Sequence, residues 1–404
     1  MDRLGAIGIH QDDRKEERRM TLPKSIGFPR MMQEPGEKRV FLPEFIQFIA
    51  NLSVKVYIEE GYGSRSGFTF VDYKRASPNV FMCNREDAFQ KDVSLILRSP
   101  KPDEFQLVKR GTILISMLHY PTRPKRIARL KELGINSISL DSIADDNNLR
   151  MVENMKSVAW NGLEAAFDWL EKQWSGLVRP DRKPINVLIL GTGMVGKHAI
   201  EAATKLGNVE RNNEHIASNG PGAVSVSIGR NIASNPSTMR SLMEQADILV
   251  DATQRRNPSK PVVPNDWLAW LPKHAVVVDL AVDPYTLDAN PPVVRGVEGI
   301  PQGSLNQYVF PANDPKWDEL VPETIPSKHR RTTVSCYSWP GVHPEACMAH
   351  YANQLEPFIE VLFEKGYDGL SLEGTYFERA LYRATLKAWM HEDETDPQII
   401  READ

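Results

Sequence analysis

The sequence is poor in cysteine, has no basic excess and contains no apolar run long enough to cross a bilayer. Only three cysteines occur in 404 residues, Cys83, Cys336 and Cys347. An odd number without C-x-x-C pairs or zinc spacing excludes a disulfide framework and fits a reduced, cytosolic protein. The 53 acidic and 49 basic side chains leave a net charge of -4, which argues against a general nucleic-acid binder. No apolar stretch approaches the roughly 20 residues of a membrane span. Residues 1–23 lack the apolar segment of a signal peptide, and Gln11 to Arg19 are strongly charged, so this stretch reads as a polar, solvated extension. What remains, 41% hydrophobic and 25% charged, is an ordinary globular composition with chain enough for two or three domains.

From Lys24 onward short apolar runs alternate with amphipathic stretches. Ser25 to Pro29 reads as strand and turn, Pro43 to Asn51 as a helix, and Val54 to Ile58 as a strand. Val93 to Leu97 and Thr112 to Ser116 are β-branched apolar runs of the kind buried in parallel sheets. A helix over Arg126 to Leu133 and a strand over Ile135 to Leu140 follow. Apolar residues from Val152 to Leu170 then recur at three- and four-residue steps, which predicts one long helix. It ends before Pro180 and the polar Asp181 to Pro184, an expected boundary. A second strand series covers 185–190, 224–228, 247–251 and 275–282; 283–328 looks irregular, and Pro344 to Phe363 is amphipathic helix. This alternation predicts an α/β fold: two Rossmann-like, doubly wound parallel sheets.

The sharpest signal is the segment Val187 to Ile200, with Gly191, Gly193 and Gly196 in G-x-G-x-x-G spacing after an apolar strand and at the opening of a helix. The first glycine permits a tight turn, the second lets a pyrophosphate approach the backbone, and the third lets helix and strand pack closely. The expected dinucleotide contacts are therefore Gly191, Thr192, Gly193, Met194, Val195 and Gly196, with Thr253 at the end of a later strand. No acidic residue stands at the usual interval of roughly 20 residues where an NAD ribose would be held. Asn208 to Gly222 looks instead like a polar insertion, and the second strand ends in Gly229-Arg230. A cationic end accepts a 2'-phosphate, which favours NADP over NAD; the competing reading makes Arg230 a solvated loop arginine.

Several short motifs, in order, resemble alanine dehydrogenases and the transhydrogenase nucleotide-binding subunit, with saccharopine dehydrogenases and opine-type synthases as more distant relatives. They are Ile26-Gly-Phe-Pro with Glu37-Lys-Arg39, the glycine loop from Glu59 to Phe68 followed by Asp72-Tyr73, Leu118-His119, and Val278 to Asp283. The resemblance implies a discontinuous first domain: 24–150 together with 341–404 form a catalytic unit, 151–340 an NAD(P)-binding unit, and the cleft lies between them. It also implies a small-molecule amino acid or 2-oxo acid as substrate and a homo-oligomer.

Exchanging hydride at an amino acid Cα requires a cation for the carboxylate and an acid/base for the proton. Arg39 is the candidate clamp, since guanidinium binds carboxylate bidentately; without the resemblance it is a surface arginine. His119 has the right proton affinity for acid/base work, against the alternative of a satisfied buried histidine. Asp283 is the candidate assistant, against a plain Asp-Pro turn. The family's lysine stretch corresponds to Leu97 to Pro102, where its lysine position falls on Pro100 without a gap or on Lys101 with one deletion; Arg98 is the substitute charge. The family's Asn-Met-Pro resembles Ser338-Trp339-Pro340, which places Ser338 and Trp339 at the substrate and removes an amide. Asp141 matches an acidic position of the saccharopine-type relatives, and Met155 a cofactor-neighbouring methionine that also fits a core role. Gln254 to Arg256 could bind an anion, although two adjacent arginines are usually solvated. His343 and His350 lack carboxylates at metal-ligand spacing, so no metal site is expected; Trp160, Phe167 and Trp174 read as packing.

Three functions follow. The first is an NAD(P)-dependent amino-acid dehydrogenase. The second is reductive condensation of an amine with a 2-oxo acid, suggested by the altered 338–339 corner and the Arg255-Arg256 pair. The third is a catalytically silent nucleotide-binding protein, suggested by the displaced lysine.

Overall fold

The computed structural model describes residues 22–32, 34–173 and 181–395. Most of the N-terminal extension, the stretch before Asp181 and Trp174 lie outside the described residues. Among the described residues, twelve strands form two six-stranded sheets. The first contains β1 (Ser25–Phe28), β2 (Lys55–Glu59), β3 (Val80–Cys83), β4 (Val93–Arg98), β5 (Ile113–Met117) and β6 (Asn136–Ser139) in the order β3-β2-β1-β4-β5-β6. All its pairings are parallel. The second contains β7 (Ile185–Leu190), β8 (Ala223–Ile228), β9 (Ile248–Asp251), β10 (Val276–Asp279), β11 (Val309–Phe310) and β12 (Thr332–Ser335) in the order β11-β12-β10-β9-β7-β8. Among the described residues its pairings are parallel except for β11 with β12 at the edge.

Parallel strands covered by helices on both faces must be apolar throughout. The central strands obey this: β9 and β10 are buried along their whole length, as is β4 up to Arg98. Each sheet reverses its strand order once, between β1 and β4 in the first and between β7 and β9 in the second. In such sheets ligands bind beyond the carboxyl ends of the strands at that reversal. Arg98 and the Gly191 turn stand at these two places.

The chain runs from the first sheet into the second along the helix Met155–Gln173, which starts three residues later than the periodicity from Val152 suggests. It comes back through Trp339–Val342 into the helix Pro344–Gly369. Apolar residues of that returning helix, from Cys347 to Tyr367, share one core with β1 to β6. Gly162 lets the crossing helix lie against the end of β10, because a Cβ there would meet Leu280 Cδ2 at 2.4 Å. Trp339 seals the same junction. The stretch read as an insertion after the glycine turn contains a helix, Val209–Ala217, capped by Asn208. No helix among the described residues is long and apolar enough to cross a membrane.

Candidate active site

Side chains from both sheets line a cleft of about 1110 Å³. Arg39, Lys101, His119, Ser338 and Met155 all border it, as do Arg98 and Glu34. All but Met155, the first residue of the crossing helix, arrive from the end of a strand or the loop after it, where a parallel sheet presents its ligand-binding edge.

Arg39 is almost fully buried and locked. Its Nε donates to Glu37 Oε1 at 2.9 Å and its Nη2 to Glu37 Oε2 at 2.5 Å, the two-pronged pairing that only a guanidinium makes. Burial alone would disfavour both charges. The pairing overcomes it, holding Glu37 below the usual carboxylate range and Arg39 above the usual guanidinium value. Glu34 sits between Arg39 and Arg98, accepting from Arg98 Nη1 at 2.6 Å and lying 3.4 Å from Arg39 Nη2. Arg98, at the end of β4, also stacks over Tyr337 at 4.9 Å. It reaches the cleft from the strand itself, whereas Lys101 is exposed on the loop beyond Pro100.

His119 follows β5 with backbone φ of 53°. That left-handed conformation is uncommon for non-glycine residues, histidine being one of those that adopt it more readily. It is fixed by Asp141 after β6: the His119 amide donates to Asp141 Oδ1 and His119 Nδ1 lies 3.1 Å from Oδ2. Ser139 Oγ donates to the same carboxylate at 2.8 Å. Burial of Asp141 opposes its ionisation, yet the contacts with His119 and Ser139 prevail and hold its pKa down at about 2. An ionised carboxylate on Nδ1 leaves Nε2 to face a reactant, the arrangement of an oriented acid/base histidine. Half of the His119 side chain remains exposed.

Two sequence candidates stand elsewhere. Asp283 does not meet His119; its Oδ2 accepts from Arg255 Nη2 at 2.7 Å. Arg255 is not solvated, since its side chain is buried and also donates to the carbonyls of Pro258, Lys260 and Val294. Trp339 does not border the cleft. Its indole is buried in the core of the second unit, with Nε1 donating to the Asp279 carbonyl at 2.8 Å and its own carbonyl accepting from Asn161 Nδ2. A ring of this size is more stable filling the hole under β10 than standing in a wet cleft.

A second pocket, of about 780 Å³, opens at the glycine turn and is lined by Gly191, Thr192, Gly193, Arg230 and Thr253. Gly191 has φ of +113°, and a Cβ on it would strike the Ala252 carbonyl at 2.4 Å. A Cβ on Gly196 would strike the Gly191 carbonyl at 2.2 Å. Gly193, the residue before the helix Met194–Thr204, has no atom within 4 Å of where its Cβ would lie and no side-chain cap. These features leave the turn's backbone bare to a pyrophosphate, at a helix N-terminus that favours anions. Gly196 therefore acts through packing, Met194 is exposed, Val195 packs against the core, and none of the three borders the pocket. No carboxylate lines this pocket. The residues present fit a dinucleotide.

Asp251, at the end of β9 beside that pocket, was part of a strand-end segment in the sequence but not a candidate by itself. Its Oδ1 accepts from Thr253 N and Oγ1, while the buried Oδ2 has no partner. Burial and the nearby Asp279 push its pKa up to about 7. A raised carboxyl keeps its proton longer folded than unfolded, so this group's contribution falls as pH rises from about 4 through 7, by on the order of 4 kcal/mol. Asp251→Asn should flatten that decline. Melting temperatures of both proteins between pH 5 and 8 check this, and parallel curves would refute it.

Two doubly wound α/β units meeting at a basic cleft, one carrying a bare glycine turn, define a dinucleotide-binding enzyme of two-lobed type. The alanine dehydrogenase/PNT N-terminal domain matches residues 28–159 and the C-terminal domain 175–285. The chain belongs to this family, and with it to the oxidoreductases. It is 24% identical over 362 residues to alanine dehydrogenase of Staphylococcus saprophyticus, covering 85% of this chain and 88% of that one. It is 24% identical over 273 residues to alanine dehydrogenase of Methanococcus maripaludis, covering 64% and 72%. Among solved structures, an L-alanine dehydrogenase superposes with a TM-score of 0.65 at 22% identity over 89% of this chain and 94% of that one. A transhydrogenase from Sinorhizobium meliloti gives 0.58 at 18% over 84% and 94%.

Proposed function

We propose that the protein is an NAD(P)-dependent amino-acid dehydrogenase that interconverts a 2-oxo acid and an amino acid. The overall change is 2-oxo acid, ammonium, reduced coenzyme and one proton giving amino acid, oxidised coenzyme and water. The observation that carries this reading is the His119–Asp141 pair at the cleft that Arg39 and Arg98 border, in a chain that also presents a bare glycine turn at the strand reversal of its second sheet. The coenzyme, when bound, supplies or accepts the hydride.

The side chains do the rest. Arg98, whose Nη1 is taken by Glu34, offers its other guanidinium N–H groups to the substrate carboxylate, with Arg39 behind it holding Glu34 in place through charge and geometry. His119 Nε2 gives a proton to the departing hydroxyl during imine formation and takes one from the attacking water in the reverse direction. Asp141 stabilises the charged ring. Ser338 supplies a small polar wall where the family resemblance implies an amide. Lys101, on the exposed loop, adds positive charge at the cleft mouth. The domain layout that goes with this is 24–150 plus 341–404 against 151–340, in a cytosolic homo-oligomer.

Arg230 enters the second pocket beside Ser234, and its Nη2 contacts the Gln254 carbonyl at 3.3 Å. A pocket with cations and no carboxylate suits a 2'-phosphate, so NADP(H) is the preferred coenzyme. Arg230→Ala should weaken NADPH binding about tenfold, the value of one exposed charge-assisted hydrogen bond, and NADH less than about twofold. Fluorescence titration checks it; equal losses would refute the assignment. The activity itself is tested by coenzyme oxidation with ammonium and a panel of 2-oxo acids. No turnover of any of them, with coenzyme bound, would sink it.

A further inference from the structure

The cleft holds more positive charge than one carboxylate requires. Arg39 and Arg98 are answered by Glu37 and Glu34. Arg123, Arg126 and Arg150 border the same cleft, and none has a carboxylate within ion-pair distance among the described residues. Arg123 Nη1 donates to the neighbouring Thr122 carbonyl, and Arg126 Nη1 to the Leu118 carbonyl at 2.6 Å. Arg150 is exposed. The one remaining acid on the cleft wall, Glu153, is engaged in accepting from the Met155 amide at 2.6 Å.

Elsewhere Arg85 is paired with Glu59 and Glu104 and Arg211 with Asp168 and Glu171, while Arg331 is held by the carbonyls of Leu271 and Pro272. In the cleft, burial and the charge of Arg123 pull the Arg126 pKa below its usual value, outweighing the opposing charge of Asp141, which lies beyond ion-pair distance. Like charges gathered in a half-wet cavity repel one another until an anion from outside joins them. Arg123 and Arg126 stand at the start of the helix Pro124–Leu133, immediately after the segment that carries His119. An anion there is therefore a neighbour of the reacting group and not the group that Arg98 holds.

We propose that the substrate carries a second carboxylate, bound by Arg123, Arg126 and Arg150, and so is a dicarboxylic 2-oxo acid and its amino counterpart. This deepens the proposed activity and rests on it for the chemistry, but the binding claim can be read without turnover. Three planar guanidinium groups on one cleft wall suit a carboxylate better than a neutral or cationic side chain.

The test titrates the full chain, with and without NADPH, using 2-oxoglutarate, oxaloacetate and pyruvate, followed by intrinsic tryptophan fluorescence and calorimetry; turnover with ammonium is measured alongside. The dicarboxylates should bind at least about tenfold tighter than pyruvate. Arg150→Ala, on an exposed side chain, and Arg126→Gln should each weaken dicarboxylate binding about tenfold and pyruvate binding less than about twofold, with KM rising more than kcat falls. Pyruvate binding as tightly as the dicarboxylates, equal losses for both classes, or no saturable binding of any acid would overturn the proposal. Arginine-dependent dicarboxylate binding without turnover would support it while sinking the dehydrogenase activity. Turnover of pyruvate alone would do the reverse.

Discussion

Gly193→Val should fold as the parent does and lose the coenzyme. At this position φ is -72° and ψ -170°, extended backbone open to any residue, and nothing lies within 4 Å of the added Cβ. The expected cost to the fold is about 1 kcal/mol, from placing valine where a helix cap prefers glycine or a small polar residue. The two methyl groups, however, project over the turn where the pyrophosphate must meet the backbone. Losing two charge-assisted hydrogen bonds at about 1.5–3 kcal/mol each weakens binding by about 100-fold or more. Gly196→Val is the contrast: its Cβ would collide with the Gly191 carbonyl, so stability itself should fall. Thermal melts with and without coenzyme separate the two. A Gly193→Val protein that still binds either coenzyme normally would dislodge the dinucleotide from this turn.

His119→Ala should lower kcat by about 10²- to 10⁴-fold, the usual contribution of a positioned acid/base, with coenzyme binding unchanged. Asp141→Asn tests the same pair from its other side. The amide keeps the size of the carboxylate but cannot stabilise a charged ring, so kcat should fall with little change in KM. Because the Asp141 pKa is held at about 2, below that of the unfolded chain, its stabilising contact is complete above about pH 4 and is lost as pH falls toward 2. The Asn variant should lack that acid-side decline. If His119→Ala turns over normally, the cleft's proton chemistry belongs to another residue.

The apolar strands were readable in the sequence because burial on both faces of a parallel sheet leaves continuous hydrophobic runs, as at β4, β7 and β10. β3 was not. It is an edge strand with Phe81 and Met82 exposed, so neither a continuous run nor a clean alternation marks it. The helix Val209–Ala217 was hidden for a different reason: two asparagines and a single buried side chain, His215, give no apolar stripe. His119 was legible as a strand-end histidine. Its partner was recognisable only as a family position, because parallel pairing of Ser116 with Ser139 is what carries the two strand ends to one place. Trp339 misled because proximity in sequence to a functional segment does not decide whether a side chain enters the core or the cleft. The unpaired arginines could not be seen at all, since lacking a partner is a property of three dimensions.

The two passages of the chain between the sheets lie side by side and are stitched to each other. The Glu153 N–H donates to Gln354 Oε1 at 3.1 Å, His350 Nε2 touches the Glu153 carbonyl at 2.8 Å, and His343 Nε2 meets Glu164 Oε2 at 2.7 Å. Fastened to each other at three points, the two crossings cannot slide past one another without breaking those contacts, so the junction holds the two sheets in one register.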